Sequence, residues 1–476
     1  MVFTVVFFLN AAANFALGIV LSALLGPAEF GRYATAALAA ITLAAAVFDW
    51  LRYSTLRFSG GADERVGVAA SLEAGYIGML ALLALGFGVV ALSGATFGLT
   101  PGLLALTPLL AVALNRVDYA GAQFRARGQP RAFAALFGLR QLLTFTFVVA
   151  VAYATRDATL TVAALAVASL ATAIALRAPL RTPGARLRRA SAGKIAEFFV
   201  YAKPIVASLV IYQAIALINR QVALEHLGAV ETGKLSLATD LGQRLFQAVS
   251  TLPEFLLFQY ALDREREHGR AAAERQIGVN MALALALLAP LAGGYIAMAP
   301  TFEALLVPTA YRGDFARLTL FVAPGFLAYC AISSALNPVF QLARRTWPAT
   351  LAALAALATD LALLRFAGAS RSTDALAAAN AISLGVGFLV SATMALRKRA
   401  IRPKLRDIAA IAAATAVMAI AVRSLNGLSP HALAAALAVI GGGGLYGAIL
   451  LLFDVAGLRG LAAARLRNAI AAPAAR

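Results

Sequence analysis

Continuous apolar runs of about twenty residues recur along the whole chain, separated by short polar breaks. They lie near 2–25, 33–56, 68–92, 101–122, 131–153, 159–178, 200–226, 234–258, 276–299, 316–340, 347–366, 374–396, 408–424 and 431–453. A helix of roughly 20 residues crosses the ~30 Å hydrocarbon core of a bilayer. Backbone polar groups cannot be left bare in lipid, so a spanning segment is a helix or a strand of a closed barrel. These runs are continuous rather than alternating, which excludes the barrel. The pattern predicts an all-α polytopic membrane protein of about fourteen transmembrane helices, referred to below as spans one to fourteen. The first run, Val2 to Leu25, lacks a basic leader and is followed by many more, so it reads as span one rather than as a secretory signal.

A repeat organises the spans. Leu25-Gly26-Pro27-Ala28-Glu29-Phe30-Gly31-Arg32 follows span one, and Leu227-Gly228-Ala229-Val230-Glu231-Thr232-Gly233-Lys234 follows span seven. Both read L-G-x-x-E-x-G-[RK]. Ala126-Arg127-Gly128 after span four and Ala343-Arg344-Arg345 after span ten form a weaker echo. Six spans separate the copies each time, and an even number of crossings returns the chain to the same side. The halves are therefore expected as parallel repeats about an axis along the membrane normal, with substrate between two six-helix lobes. The lobes are placed at 1–180 and 195–396, with two extra spans over 405–455 and a cytoplasmic tail from 456 to 476. Locally, the glycines of the motif suit a tight turn that ends one helix and restarts the next.

Composition agrees with this class: 61% of the 476 residues are hydrophobic and 13% charged, against about 25% charged in ordinary soluble domains. The net charge of +19 could suggest nucleic acid. Its distribution excludes that partner, because the basic residues cluster in short loops between apolar runs, where they orient the chain and meet anionic lipid headgroups. With both termini cytoplasmic, the inside loops and rims carry 29 Lys and Arg and the outside loops 8. The bias places both termini inside, although Arg32 after span one disagrees locally. Every loop is short, so a membrane glycosyltransferase would have nowhere to keep its active site. The single Cys330 excludes an intramolecular disulfide, and His226, His268 and His431 lack metal-ligand spacing. No phosphate-binding G-x-x-x-x-G-K-[ST] loop occurs. Neither an enzyme nor a cofactor or metal is indicated.

Ionisable residues inside the apolar runs carry the functional signal, since each costs about 3 kcal/mol at mid-helix on insertion scales and usually faces a cavity or a partner. On span eight Ser236, Asp240, Arg244, Gln247, Thr251 and Glu254 recur every three or four residues, which is one helical face. Asp240 and Arg244, one turn apart, could also neutralise each other. Span two has a sparser line of Thr35, Thr42 and Asp49, with Arg52 following. Arg140 lies in mid span five, Arg220 in span seven with Gln213 two turns away, and Arg116 at the end of span four. Each arginine alone could snorkel or pair with an acid. Together, with few acids at matching depth, Arg244, Arg140, Arg220, Arg52 and Arg116 point to a cationic lumen for an anionic substrate. A guanidinium suits phosphate oxygens because its planar fork binds them in pairs and keeps its proton in a low-dielectric site. Asp240, Gln247, Glu254, Asp49, Gln213, Asn10 and Asn14 are the further polar lumen candidates. Asn10 and Asn14 share a face of span one and serve either hydroxyl groups or helix contact.

The turn from Leu25 to Tyr33, the segment Phe48-Asp49-Trp50-Leu51-Arg52 and Phe124-Arg125-Ala126-Arg127-Gly128-Gln129 resemble the Wzx-type polysaccharide flippase branch of the multidrug/oligosaccharidyl-lipid/polysaccharide exporter superfamily. The 6 + 6 + 2 layout extends the resemblance over the whole chain. It implies a V-shaped pair of six-helix lobes that flips a polyprenyl-diphosphate-linked oligosaccharide across the bacterial inner membrane by alternating access. It also implies membrane lipids and polysaccharide polymerase and chain-length machinery as partners, and a monomeric transporter. A lipid II flippase shares this architecture and stays open. So does a cation-coupled multidrug exporter of the same superfamily, although the acidic residue such exporters commonly carry in the first helix is missing here.

Overall fold

The structure, a computed structural model, describes residues 2–59, 65–180, 186–343, 345, 347–366, 368 and 371–460, with the backbone alone for 2–4, 65, 179, 252–256 and 399. Among these residues the protein is all helix and turn. It is a multi-pass membrane protein: twelve described helices are long and apolar enough to cross a bilayer. The first contains spans one and two, and the polar helix Ala229–His268 stands outside the twelve as span eight. All fourteen expected spans are present. Several helices outrun their apolar stretch, as span seven does by starting at Ala192 and span eight by running to His268. Hydropathy marks only the part in hydrocarbon, whereas backbone hydrogen bonding continues the helix into the polar rim.

The described chain packs as two compact units, one of Met1–Leu241 with Ala356–Asn380 and the other of Gly242–Ala355 with Ala381–Arg476. In the first unit, spans one and two form Val2–Phe58, broken at Gly26, whose φ of 69° only glycine adopts freely. Pro27 restarts the helix, where its missing N–H is harmless. Spans three to seven are Val66–Ser93, Pro101–Ala126, Pro130–Thr155, Ala158–Ala175 and Ala192–His226. Their starts are chemically marked. Thr100 accepts from Leu103 N and is followed by Pro101, and the Asp157 carboxylate accepts from Leu160 N at 2.7 Å. Glu29 Oε2 reaches Ala158 N at 2.9 Å, which ties the span-one turn to the start of span six. The core here is aromatic: Phe48, Trp50, Tyr76, Tyr119 and Phe198 are buried together with Leu51, Leu72 and Val206.

The second unit holds spans nine and ten, Arg270–Ala297 and Asp314–Leu342, with spans thirteen and fourteen, Leu405–Arg423 and His431–Leu452. Ala286, Ala414, Met418, Val422, Tyr446 and Leu450 make its core, and Tyr446 OH donates to Ala286 O at 2.9 Å. In the glycine run of span fourteen only Gly442 is needed for contact: a Cβ there would stand 2.6 Å from Val422 Cγ2, whereas Gly441, Gly443, Gly444 and Gly447 face open space. Single π turns widen spans five, ten and fourteen at Thr144–Val148, Ile332–Leu336 and Ala438–Gly442. Such turns interrupt regular helix packing and are frequent where helices carry function.

Candidate functional site

The first unit carries a layer of charge well inside the spans. Asp49 lies nine residues before Phe58, where span two ends, about 14 Å along the axis at ~1.5 Å per residue. Arg140 lies ten residues after Pro130, about 15 Å deep by the same rise. Asp118, on span four, faces Arg140 with Oδ1 at 3.6 Å from Nη1. Arg52 Nη2 donates to Asp49 Oδ2 at 3.0 Å and stands over the Tyr53 ring. Arg116 lies over the Tyr76 ring at 4.7 Å, and Tyr76 stacks between Phe48 and Tyr119. This positions the Arg116 guanidinium against a π face rather than a carboxylate. Next to Arg140, Gln141 Nε2 donates to Asn10 Oδ1, and Asn14 Nδ2 donates to Asn10 O at 2.8 Å. Spans one, two, four and five thus bring Asn10, Asn14, Asp49, Arg52, Arg116, Asp118 and Arg140 to one part of the unit.

A second cluster gathers where the repeated motifs meet. Arg220 is buried, donates through Nη1 to Ala34 O at 3.1 Å and through Nη2 to Thr239 Oγ1 at 3.1 Å, and pairs with Asp240. The partner of Asp240 is therefore Arg220 on the neighbouring helix, in place of the Arg244 that its own helix spacing offers. Beside it, Asn219 Nδ2 lies 3.0 and 2.9 Å from the two carboxylate oxygens of Asp360, which is wholly buried in span eleven. Along span eight Ser236 is buried, and Asp240, Arg244, Gln247 and Thr251 are half-buried on the expected spacing. Gln213 is half-buried, with its Oε1 closed off from solvent and without a hydrogen-bond partner. The Glu254 side chain lies outside the described residues.

The expectation that few acids share the depth of the arginines is corrected here. Arg52 has Asp49, Arg140 has Asp118 and Arg220 has Asp240. Two of these pairs join different helices, a relationship that spacing within one helix cannot display. Asp118, Asn219, Gln141 and Asp360 went unrecognised in the sequence. The signal was nevertheless available for Asp360, a lone acid in the middle of an otherwise apolar run.

Among the described residues no group of three or more His, Cys, Asp or Glu is placed to hold a metal ion. Asp360 and the Asn219 Oδ1, which is buried without a hydrogen-bond partner, supply oxygen donors of the type that hard cations take. Chemically, the layer around Arg52, Arg116 and Arg140 can receive an anion, whereas the guanidinium of Arg220 is already engaged by protein oxygens.

No family model matches the chain, and no curated protein sequence matches it. Solved structures do. The chain superposes on lipid II flippase MurJ in an inward closed conformation with a TM-score of 0.72, covering 95% of this chain and 98% of that one at 12% identity. An inward-facing multidrug resistance transporter of the MATE family gives a TM-score of 0.49 at 13% identity, over 81% of this chain and 94% of that one. A transporter of the same superfamily from Pyrococcus furiosus gives 0.46 at 14% identity, over 83% and 94%. The chain therefore has the fold of the lipid II flippase MurJ along nearly its whole length, and at 12% identity the similarity is one of fold.

Proposed function

We propose that the protein is a flippase that carries a polyprenyl-diphosphate-linked oligosaccharide across the bacterial inner membrane by alternating access, for export of a surface polysaccharide. The observation that carries this reading is the placement of Arg52, Arg116 and Arg140 about 9–15 Å inside spans two, four and five, each of them partly open. A diphosphate diester presents two negative charges and several acceptor oxygens, which guanidinium groups in a low-dielectric site bind strongly. The proposal keeps Arg244, Gln213, Gln247, Asn10 and Asn14 as candidates for binding sugar hydroxyls, and gives Arg220 and Asp240 a role in holding helices together. Both termini are placed in the cytoplasm on the loop charge, and polymerase and chain-length proteins are the expected partners on the far side.

A lipid II flippase is the second reading, since lipid II is also a polyprenyl diphosphate and would engage the same arginines. The two are separated in proteoliposomes loaded with either fluorescent lipid II or a fluorescent polyprenyl-diphosphate oligosaccharide, with translocation read by a membrane-impermeant quencher. Transport of the oligosaccharide, lost in an Arg52→Ala/Arg140→Ala double variant that still inserts, is the expected result. Wild-type rates in that double variant would remove the basis of the proposal, and transport of lipid II alone would select the second reading.

A further inference from the structure

Asp118 is an odd partner for Arg140 if its purpose is to hold two helices together. The 3.6 Å between Asp118 Oδ1 and Arg140 Nη1 is longer than the roughly 2.7–2.9 Å of a formed charge-assisted hydrogen bond. The Asp49–Arg52 pair, in the same layer, closes to 3.0 Å. Exposure differs in the same direction: the Asp118 side chain is 40% exposed and that of Arg140 18%, whereas that of Asp49 is 10% exposed. The carboxylate of Asp118 thus keeps an open face while the guanidinium it addresses is largely enclosed. Its backbone is fixed, because Val117 and Tyr119 on either side are buried in the core. Arg140 sits one turn before the π turn of span five, with Arg140 O accepting from Thr144 N. Arg52 and Arg125 are also within electrostatic reach of Asp118.

The charges then define the competition. Arg140, Arg52 and Arg125 all lie within electrostatic reach of Asp118, so its carboxylate offsets one of the positive charges that this layer offers a ligand. A diphosphate diester brings two negative charges and needs the guanidinium that Asp118 faces. With the Asp118 carboxylate in place the filled cluster carries one more negative charge than it does without it. A transporter must bind its cargo firmly enough to take it and loosely enough to release it.

Resting on the flippase reading above, we infer that Asp118 is a resident counter-anion of Arg140, which a phosphate-bearing head group displaces and which limits the affinity so that the head group leaves again. It is a specificity and release residue acting on the ligand through Arg140. The test measures binding of undecaprenyl diphosphate to the purified full-length protein in detergent, together with transport in proteoliposomes. Asp118→Asn is expected to bind about tenfold tighter and to transport more slowly at saturating substrate. Asp118→Glu, which carries the same charge further toward Arg140, is expected to bind several-fold more weakly, so the sign of the effect is readable even if one variant fails to fold. In an Arg140→Ala background, Asp118→Asn is expected to give no tightening. Unchanged or weaker binding by Asp118→Asn, or tighter binding by Asp118→Glu, overturns the inference while Arg140→Ala binding loss leaves the flippase site standing. Wild-type affinity in Arg140→Ala overturns both.

Discussion

Gly31 and Gly233, the closing glycines of the two L-G-x-x-E-x-G-[RK] copies, lie backbone against backbone. A Cβ on Gly31 would stand 2.3 Å from Ala229 O and 2.7 Å from Gly233 N, and one on Gly233 would stand 1.9 Å from Pro27 O. The motif thus packs against its own repeat. Its opening glycines do a different job, since Gly26 and Gly228 have φ of 69° and 88° and open space where a Cβ would go. Between them Glu29 pairs with Arg32 and Glu231 with Lys234, each one turn apart.

From this follows a graded expectation for alanine. Gly233→Ala overpacks backbone that has no flexible atom to move aside, and is expected to cost about 1–3 kcal/mol or more. Gly228→Ala meets no neighbour and pays only for a left-handed conformation, about 1–2 kcal/mol. Gly441→Ala meets nothing and has ordinary dihedrals, so it is expected to be neutral. Thermal unfolding of the three variants in detergent checks the order, and a Gly233→Ala protein as stable as Gly441→Ala would contradict the close approach.

The number and order of the spans could be read from the sequence because lipid imposes a local rule: each crossing needs its own uninterrupted apolar run, whatever it packs against. The repeat was visible for the same reason, its two copies being contiguous. The pairing of charge was not local. Asp240 meets Arg220 across 20 residues and Asn219 meets Asp360 across 141, and nothing in either segment alone announces the other. Counting arginines without their acids made the cluster look more cationic than it is. The motif glycines show the same limit, since a turn signal explained Gly26 and Gly228 but gave no hint that Gly31 and Gly233 touch.

The two kinds of arginine should separate in experiment. Arg220 is buried with three protein acceptors, and its removal leaves Asp240 without its cation; breaking such a pair costs about 3–5 kcal/mol. Arg140 and Asp118 are more open and wider apart, so removing that pair's cation is expected to cost about 1 kcal/mol or less. Arg220→Ala should therefore lower the unfolding temperature strongly, and Arg140→Ala should unfold near wild type while losing transport. The opposite order of stabilities would exchange the roles assigned to the two residues.

Asp360 is the most deeply buried acid of the described chain's first unit and is hydrogen-bonded to a neutral amide. Asn219 Nδ2 also donates to Ile215 O at 2.9 Å, so Asp360→Ala leaves one N–H of the amide without its acceptor, and an unsatisfied buried donor costs about 1–3 kcal/mol. Asp360→Asn keeps an acceptor for that amide, so it should retain most of the stability. If both substitutions unfold at the same temperature, the Asn219 hydrogen bonds contribute nothing measurable to the fold.

Orientation can be tested on the native chain because its one cysteine, Cys330, is buried and leaves a low labelling background. Leu187 is exposed beside Arg186, Arg188 and Arg189 in the basic loop between spans six and seven. Translocating that loop would carry its positive charge against the bias that basic residues show for the cytoplasmic side. A Leu187→Cys variant should resist an impermeant maleimide in intact cells and react once the inner membrane is opened. A Leu428→Cys variant, at an exposed position in the loop between spans thirteen and fourteen, should react from outside. Labelling of Leu187→Cys in intact cells, with Leu428→Cys protected, would place both termini on the opposite side of the membrane.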